Sequence, residues 1–103
     1  MIIYVDIDET ICETPKDRDY IKSKPIEKNI AKINDLYDSG HKIVYWTARG
    51  SGSGLNWHRV TEKQLGEWGV KYHEVKVGKP MYDLFICDKA INSERFFNGV
   101  GNV

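Results

Sequence analysis

The chain has 103 residues, 41% of them hydrophobic and 29% charged, which is enough for one modest core and excludes a second domain. Fifteen Lys and Arg balance fifteen Asp and Glu, so no global field draws it to nucleic acid or to an anionic membrane, and a charged partner must be recognised locally. No signal-like or membrane-spanning apolar stretch follows Met1, and residues 1–103 read as a single cytoplasmic domain. Cys12 and Cys87 form no CxxC and read as reduced thiols.

Ile2-Ile3-Tyr4-Val5 is an apolar run suited to a strand buried on both faces, and it ends abruptly in Asp6-Ile7-Asp8-Glu9-Thr10. Residues 13 to 25 alternate in charge between Pro15 and Pro25 and read as a flap, too short for a separate lid. Ile26, Ile30, Ile33 and Tyr37 then recur at helical spacing, with Pro25 before them and Gly40 after. A second buried-strand run, Ile43-Val44-Tyr45-Trp46, ends in Thr47-Ala48-Arg49-Gly50. Gly50-Ser51-Gly52-Ser53-Gly54 lacks both the GxGxxG fingerprint and the P-loop lysine, and reads as a loop able to close over substrate. Asn56 can cap a helix through Trp57, Val60, Leu65 and Trp68, ended by Gly69.

Residues 70 to 77 suggest a third strand, and Leu84-Phe85-Ile86-Cys87 a fourth that ends in Asp88 ahead of a short helix with Phe96 and Phe97. This alternation predicts right-handed βαβ units: an α/β, Rossmann-like parallel sheet of about four strands with flanking helices. Residues 78 to 83 must return the chain across that sheet, although parallel crossovers usually take about a dozen residues. Strand three is therefore expected to be short or peripheral. The three tryptophans read as core, and His41, His58 and His73, without ligand spacing, as structural or exposed.

Ligands of an open parallel sheet bind beyond the carboxyl ends of its strands, where this pattern puts Asp6, Asp8, Thr47, Arg49 and Asp88, with Lys79 in the next loop. Three carboxylates at one crevice repel unless a cation joins them, and an oxygen-rich site suits Mg²⁺ shared with a substrate phosphate. Thr47 and a lysine would hold the remaining phosphate oxygens, which is the inventory of phosphoryl transfer. Lys79, past the third strand, is favoured over Lys76 within it. Arg49 is either a clamp on a substrate anion or one half of a surface ion pair.

Asp6-Ile7-Asp8-Glu9-Thr10, Thr47, Lys79 and Asp88 resemble, in order and placement, the four motifs of the haloacid dehalogenase superfamily over about residues 2 to 92. Trp46-Thr47-Ala48-Arg49-Gly50, Gly78-Lys79-Pro80-Met81-Tyr82-Asp83 and Asp88-Lys89-Ala90 resemble more narrowly the short phosphatases encoded with capsule and polysaccharide biosynthesis genes. The resemblance implies Asp6 as nucleophile, Asp8 as general acid and base, Lys79 and Thr47 at the phosphate, and Asp6, Asp8 (through its carbonyl) and Asp88 on Mg²⁺. Substrate contacts fall to Thr10, Thr47, Arg49 and Gly50.

Where many relatives carry two adjacent acids this chain has Cys87-Asp88, so either metal binding is weaker or Asp83 compensates. Only about fifteen residues separate the first motif from the first helix, which leaves no room for a cap domain. The open crevice then takes a bulky phosphorylated substrate or is covered by a neighbouring subunit in a homo-oligomer. The expected activity is hydrolysis of a small phosphate monoester, such as a phosphosugar. The rival readings are an inactive binding module and a receiver-like domain, the latter disfavoured because the second strand ends in Thr47 rather than Asp.

Overall fold

The computed structural model describes residues 1–51 and 56–99. Gly52, Ser53 and Gly54 of the glycine-serine loop lie outside the described residues. In chain order the elements are β1 (Ile2–Val5), β2 (Cys12–Glu13), a 3₁₀ turn (Tyr20–Lys22), β3 (Lys24–Pro25), α1 (Glu27–Asp38), β4 (Lys42–Trp46), α2 (His58–Glu67), β5 (Glu74–Lys76) and α3 (Ser93–Asn98). Strands β1, β4 and β5 form a parallel sheet in that spatial order, and β2 pairs with β3 in a small antiparallel ribbon.

The register pairs Ile3 with Ile43, Val5 with Tyr45 and Tyr45 with Val75, so these side chains share one face. That face packs on Ile30 and Ile33 of α1 and Leu65 of α2, and the core lies between. Two same-direction crossovers of right-handed βαβ units put both helices on one side of the sheet. Each fully buried aliphatic side chain there contributes roughly 1.5–3 kcal/mol. Helix α1 closes at Gly40 with φ +100° and α2 at Gly69 with φ +69°, left-handed positions that favour glycine. Among the described residues no helix is long and apolar enough to cross a membrane.

Two expectations for the sheet are corrected. β1 is not buried on both faces: Ile2 is 67% and Tyr4 50% exposed, because β1 is an edge strand with helices on one side only. The fourth strand does not form either. Leu84-Phe85-Ile86-Cys87 runs exposed outside the three-stranded sheet, Ile86 at 88%.

The connection explains the missing strand. β5 is indeed short and lies at the far edge, so a strand beyond β1 requires three inter-strand spacings, about 14 Å, and a return along about 13 Å of strand. Residues 77–83 reach about 23 Å when fully extended, which exceeds the straight line by only about 4 Å and leaves little to pass around the side chains of a sheet face.

Candidate active site

A cleft of about 640 Å³ opens beyond the carboxyl ends of the strands, lined by Asp6, Asp8 and Glu9 after β1, Asp17, Arg18 and Tyr20 from the flap, Ala48 to Gly50, Trp57, and Lys79 to Tyr82. Ile7 is fully buried and anchors a tight turn in which its carbonyl accepts from the N–H groups of Thr10 (3.1 Å) and Ile11 (2.9 Å). With Ile7 in the core, the flanking Asp6 and Asp8 face the cleft.

Asp6 meets Lys79, whose Nζ lies 3.6 Å from Oδ1. The lysine is placed by its own N–H, which donates to the Thr47 carbonyl at 3.1 Å, by the Ser51 hydroxyl, which donates to its carbonyl at 2.8 Å, and by Gly78 with φ +86°. Burial pushes the Asp6 carboxyl above its usual range, and the Lys79 charge opposes that shift without cancelling it. Lys76 points elsewhere: its ammonium donates to the Tyr4 hydroxyl at 3.1 Å on the exposed side of β5.

Asp8 is held by Arg49. Nη2 donates to Oδ1 at 2.8 Å and Nε to Oδ2 at 3.0 Å, while Nη1 donates to Thr61 Oγ1 (3.2 Å) and Gln64 Oε1 (2.6 Å). The guanidinium lies over the Tyr20 ring at 4.7 Å, and Nη2 also approaches Cys12 Sγ at 3.9 Å. Arg49 is 2% exposed. It is thus neither a surface ion pair nor free to clamp an anion, because its five donors are taken by the protein. Cys12 is a buried free thiol beside Asp8, pushed up to about 11 chiefly by burial.

The other expected site residues divide. Gly50 lines the cleft with φ +83°. Thr47 is fully buried beneath it, its hydroxyl accepting from the Arg49 N–H at 3.1 Å, and Thr10 is buried with its carbonyl taken by Asn29 Nδ2 at 2.9 Å. Neither threonine lines the cleft wall. Asp83 and Asp88 are exposed on the segment after β5 and also lie outside it. Among the described residues no three His, Cys, Asp or Glu side chains converge to hold a metal. Asp6 is a cleft carboxylate whose oxygens are not committed to Arg49, a donor compatible with the mode in which Mg²⁺ takes one or two carboxylates together with water and a substrate phosphate.

No protein-family model matches the chain, and no curated relative is found. A crystal structure of a structural-genomics target from Vibrio cholerae superposes with a TM-score of 0.81 at 24% identity, over 95% of this chain and 89% of that one. The two share a fold. That likeness supports a small α/β domain with a parallel sheet and carries no activity.

Several cleft residues escape a reading by motif. Glu9 and Arg18 both adopt left-handed backbone, φ +61° and +59°, and the Arg18 guanidinium donates to both Glu9 oxygens at 3.1 Å, tying the flap to the turn after β1. Non-glycine residues held there store strain, which concentrates at functional sites. Tyr20 and Trp57 meet edge to face at 5.0 Å and wall the cleft with Tyr82, so Trp57 is a half-buried wall residue rather than core. The three histidines have protein partners: His41 the N-terminus, His58 Glu62, and His73 the Ile43 N–H.

Proposed function

We propose that the cleft hydrolyses a small phosphate monoester through an aspartyl-phosphate at Asp6, as a cytoplasmic, Rossmann-like phosphatase of the haloacid dehalogenase type. The observation that carries the reading is the Asp6–Lys79 pair at the end of a parallel strand, with a second carboxylate two residues on, oriented by a buried arginine. A cleft of about 640 Å³ suits a small metabolite. Its Tyr20, Trp57 and Tyr82 walls suit a sugar ring, in keeping with the resemblance to capsule and polysaccharide phosphatases.

Asp6, with the Asp8 carbonyl, would hold Mg²⁺, and Asp88 is the third candidate. When bound, the ion neutralises phosphate charge and aligns the phosphoryl group with Asp6. A carboxylate oxygen of Asp6 attacks phosphorus as the bond to the ester oxygen breaks, with Lys79 balancing charge on the transferred group. Asp8 gives its proton to the leaving alkoxide, and Arg49 stabilises the carboxylate left behind. Asp8 then takes a proton from the water that attacks the phosphoenzyme, releasing phosphate and restoring Asp6. Oδ1 accepts from Arg49 and Thr14, so Oδ2, with one strong donor, has the acceptor capacity left to carry that proton.

Turnover of an aryl phosphate with and without Mg²⁺, followed by a panel of sugar phosphates, tests the reading, and no Mg²⁺-dependent turnover of any of them would sink it. The position of Asp88 outside the cleft favours one alternative, an inactive module that binds phosphorylated ligands, and the same assay decides between them.

Two substitutions bear on the assignments. Lys79→Ala is expected to lower kcat/KM by on the order of a hundredfold or more, the usual loss for a preorganised cation, while Lys76→Ala leaves it within about twofold. A large loss confined to Lys76→Ala reverses the assignment. Asp88→Asn is expected to raise the Mg²⁺ concentration for half-maximal rate steeply. Wild-type behaviour of Asp88→Asn at limiting Mg²⁺, with loss in Asp83→Asn, moves that role to Asp83.

A further inference from the structure

Seven of the eleven exposed large hydrophobic side chains among the described residues lie between Val77 and Ile91, and two more, Ile2 and Tyr4, lie on β1. At about 150–250 Å² for a large side chain, their exposed fractions amount to roughly 1,000 Å² of apolar surface. Spread over β1 and the segment after β5, with Met81 and Tyr82 shared with the cleft wall, that total is of the order of the surface each partner of a stable interface buries, about 800 Å².

The surfaces are complementary in kind. Among the described residues β1 has β4 on one side and no strand on the other, an edge whose backbone N–H and C=O groups can pair with another strand. Leu84-Phe85-Ile86-Cys87 has the composition of a buried strand and no ladder of its own, with Leu84 75% and Ile86 88% exposed. Both runs have four residues. Its own chain can barely return it to β1, because residues 77–83 fall short of the length a parallel crossover needs. Short connections of this kind favour exchange between copies.

We infer that Leu84–Cys87 adds as a parallel strand to the β1 edge of a second copy of this chain, reciprocally in a two-fold dimer, so that each cleft is completed by Asp88 of the other subunit. In the register that covers both runs, Leu84 lies against Ile2 and Cys87 against Val5, and Asp88 falls beside Asp6. Leu84 and Ile86 then share a face with Ile2 and Tyr4, which extends the apolar side of the sheet that no helix covers, while Phe85 continues the side of Ile3. Only the parallel sense sets Asp88 at the carboxyl end of the sheet. The acid that the single chain leaves outside its cleft is thus supplied by the neighbour. The metal-binding consequence rests on the phosphatase reading above; the strand exchange does not.

The assembly is read first by light scattering on the wild type and on Ile86→Asp, whose side chain has no packing role within its own chain. A wild-type dimer that this substitution converts to monomer is expected, and a monomeric wild type at high micromolar concentration overturns the inference. Second, Ile2→Cys with Leu84→Cys in a Cys87→Ser background should oxidise to a covalent dimer, since neighbouring positions on paired strands lie within disulfide range. A bond within one chain, or none, overturns it.

Third, at Mg²⁺ concentrations too low to support Asp88→Asn alone, a mixture of Asp6→Asn and Asp88→Asn should regain about a quarter of wild-type activity after subunit exchange, because half the dimers are mixed and each mixed dimer holds one intact site. No recovery in dimers shown to have exchanged overturns the completion by Asp88. An inactive wild type would defeat the phosphatase reading while leaving the first two measurements decisive for the interface.

Discussion

Asp6→Asn is expected to abolish turnover, by at least about 10⁴-fold, and to eliminate any phosphoenzyme, since the nucleophile of a covalent mechanism has no substitute in this cleft. Asp8→Asn should instead slow the reaction, chiefly at hydrolysis of the intermediate, so that phosphoenzyme accumulates with a good leaving group. The two positions are not exchangeable. Asp6 carries the Lys79 ammonium and directly follows β1, whereas Asp8 is held through both oxygens by Arg49, with Oδ2, which accepts one strong bond, left the capacity to carry a proton. Rapid acid quench and peptide mapping should find the phosphoryl group on Asp6; on Asp8 or Thr47 it would overturn the mechanism.

A second readout separates this role from a structural one. Burial raises the folded-state pKa of Asp6 above its unfolded value. As pH rises through the ordinary carboxylate range the unfolded chain ionises first, so the folded state loses stability up to the folded pKa and carries the whole loss at neutral pH. In metal-free buffer Asp6→Asn should therefore melt slightly higher than wild type at pH 7 and alike near pH 3. A lower melting temperature at pH 7 would mark Asp6 as a structural residue.

Local signals in the chain reported local structure well. The spacing of Ile26, Ile30, Ile33 and Tyr37, with a glycine at its end, marks α1 within a residue or two, and Ile43 to Trp46 marks β4. Asp6, Asp8 and Lys79 are legible because acids that follow an apolar run, and a lysine in the loop after the last strand, can only be at one end of a parallel sheet. Three things were not legible. Leu84–Cys87 has the composition of a strand, but pairing is a property of the connection and of the available edge, and composition records neither. Arg49 looks like a surface residue next to a glycine loop, and only the closure of α2 over the turn, with Thr61 and Gln64 as acceptors, makes its burial tolerable. The Glu9–Arg18 link depends on two left-handed residues nine positions apart, for which neither residue type gives a signal.

The largest effect on stability is expected at Arg49. Its guanidinium is fully buried, donates to Asp8, Thr61 and Gln64, and lies over Tyr20, so it ties the turn after β1 and the flap to α2. Deleting one member of a buried ion pair typically costs about 3–5 kcal/mol, mainly because the remaining charge is left in a poor dielectric without its partner. Against a total stability of about 5–15 kcal/mol, and with about 4–8 °C per kcal/mol for a domain near this size, Arg49→Met should lower Tm by at least about 12 °C. Removing the orphaned charge should recover part of the loss. Arg49→Met with Asp8→Asn is therefore expected to be more stable than the two single effects added together, by about 1–3 kcal/mol in a double-mutant cycle. Because the pair is withdrawn from solvent, the coupling should persist at 1 M salt, where the Debye length is about 3 Å and an exposed pair such as Lys71–Asp38 is screened. Urea denaturation of the four proteins at low and high salt measures all of this. A loss under about 1 kcal/mol for Arg49→Met, or strict additivity with Asp8→Asn, would mean that the arginine neither holds Asp8 nor joins the flap to the sheet.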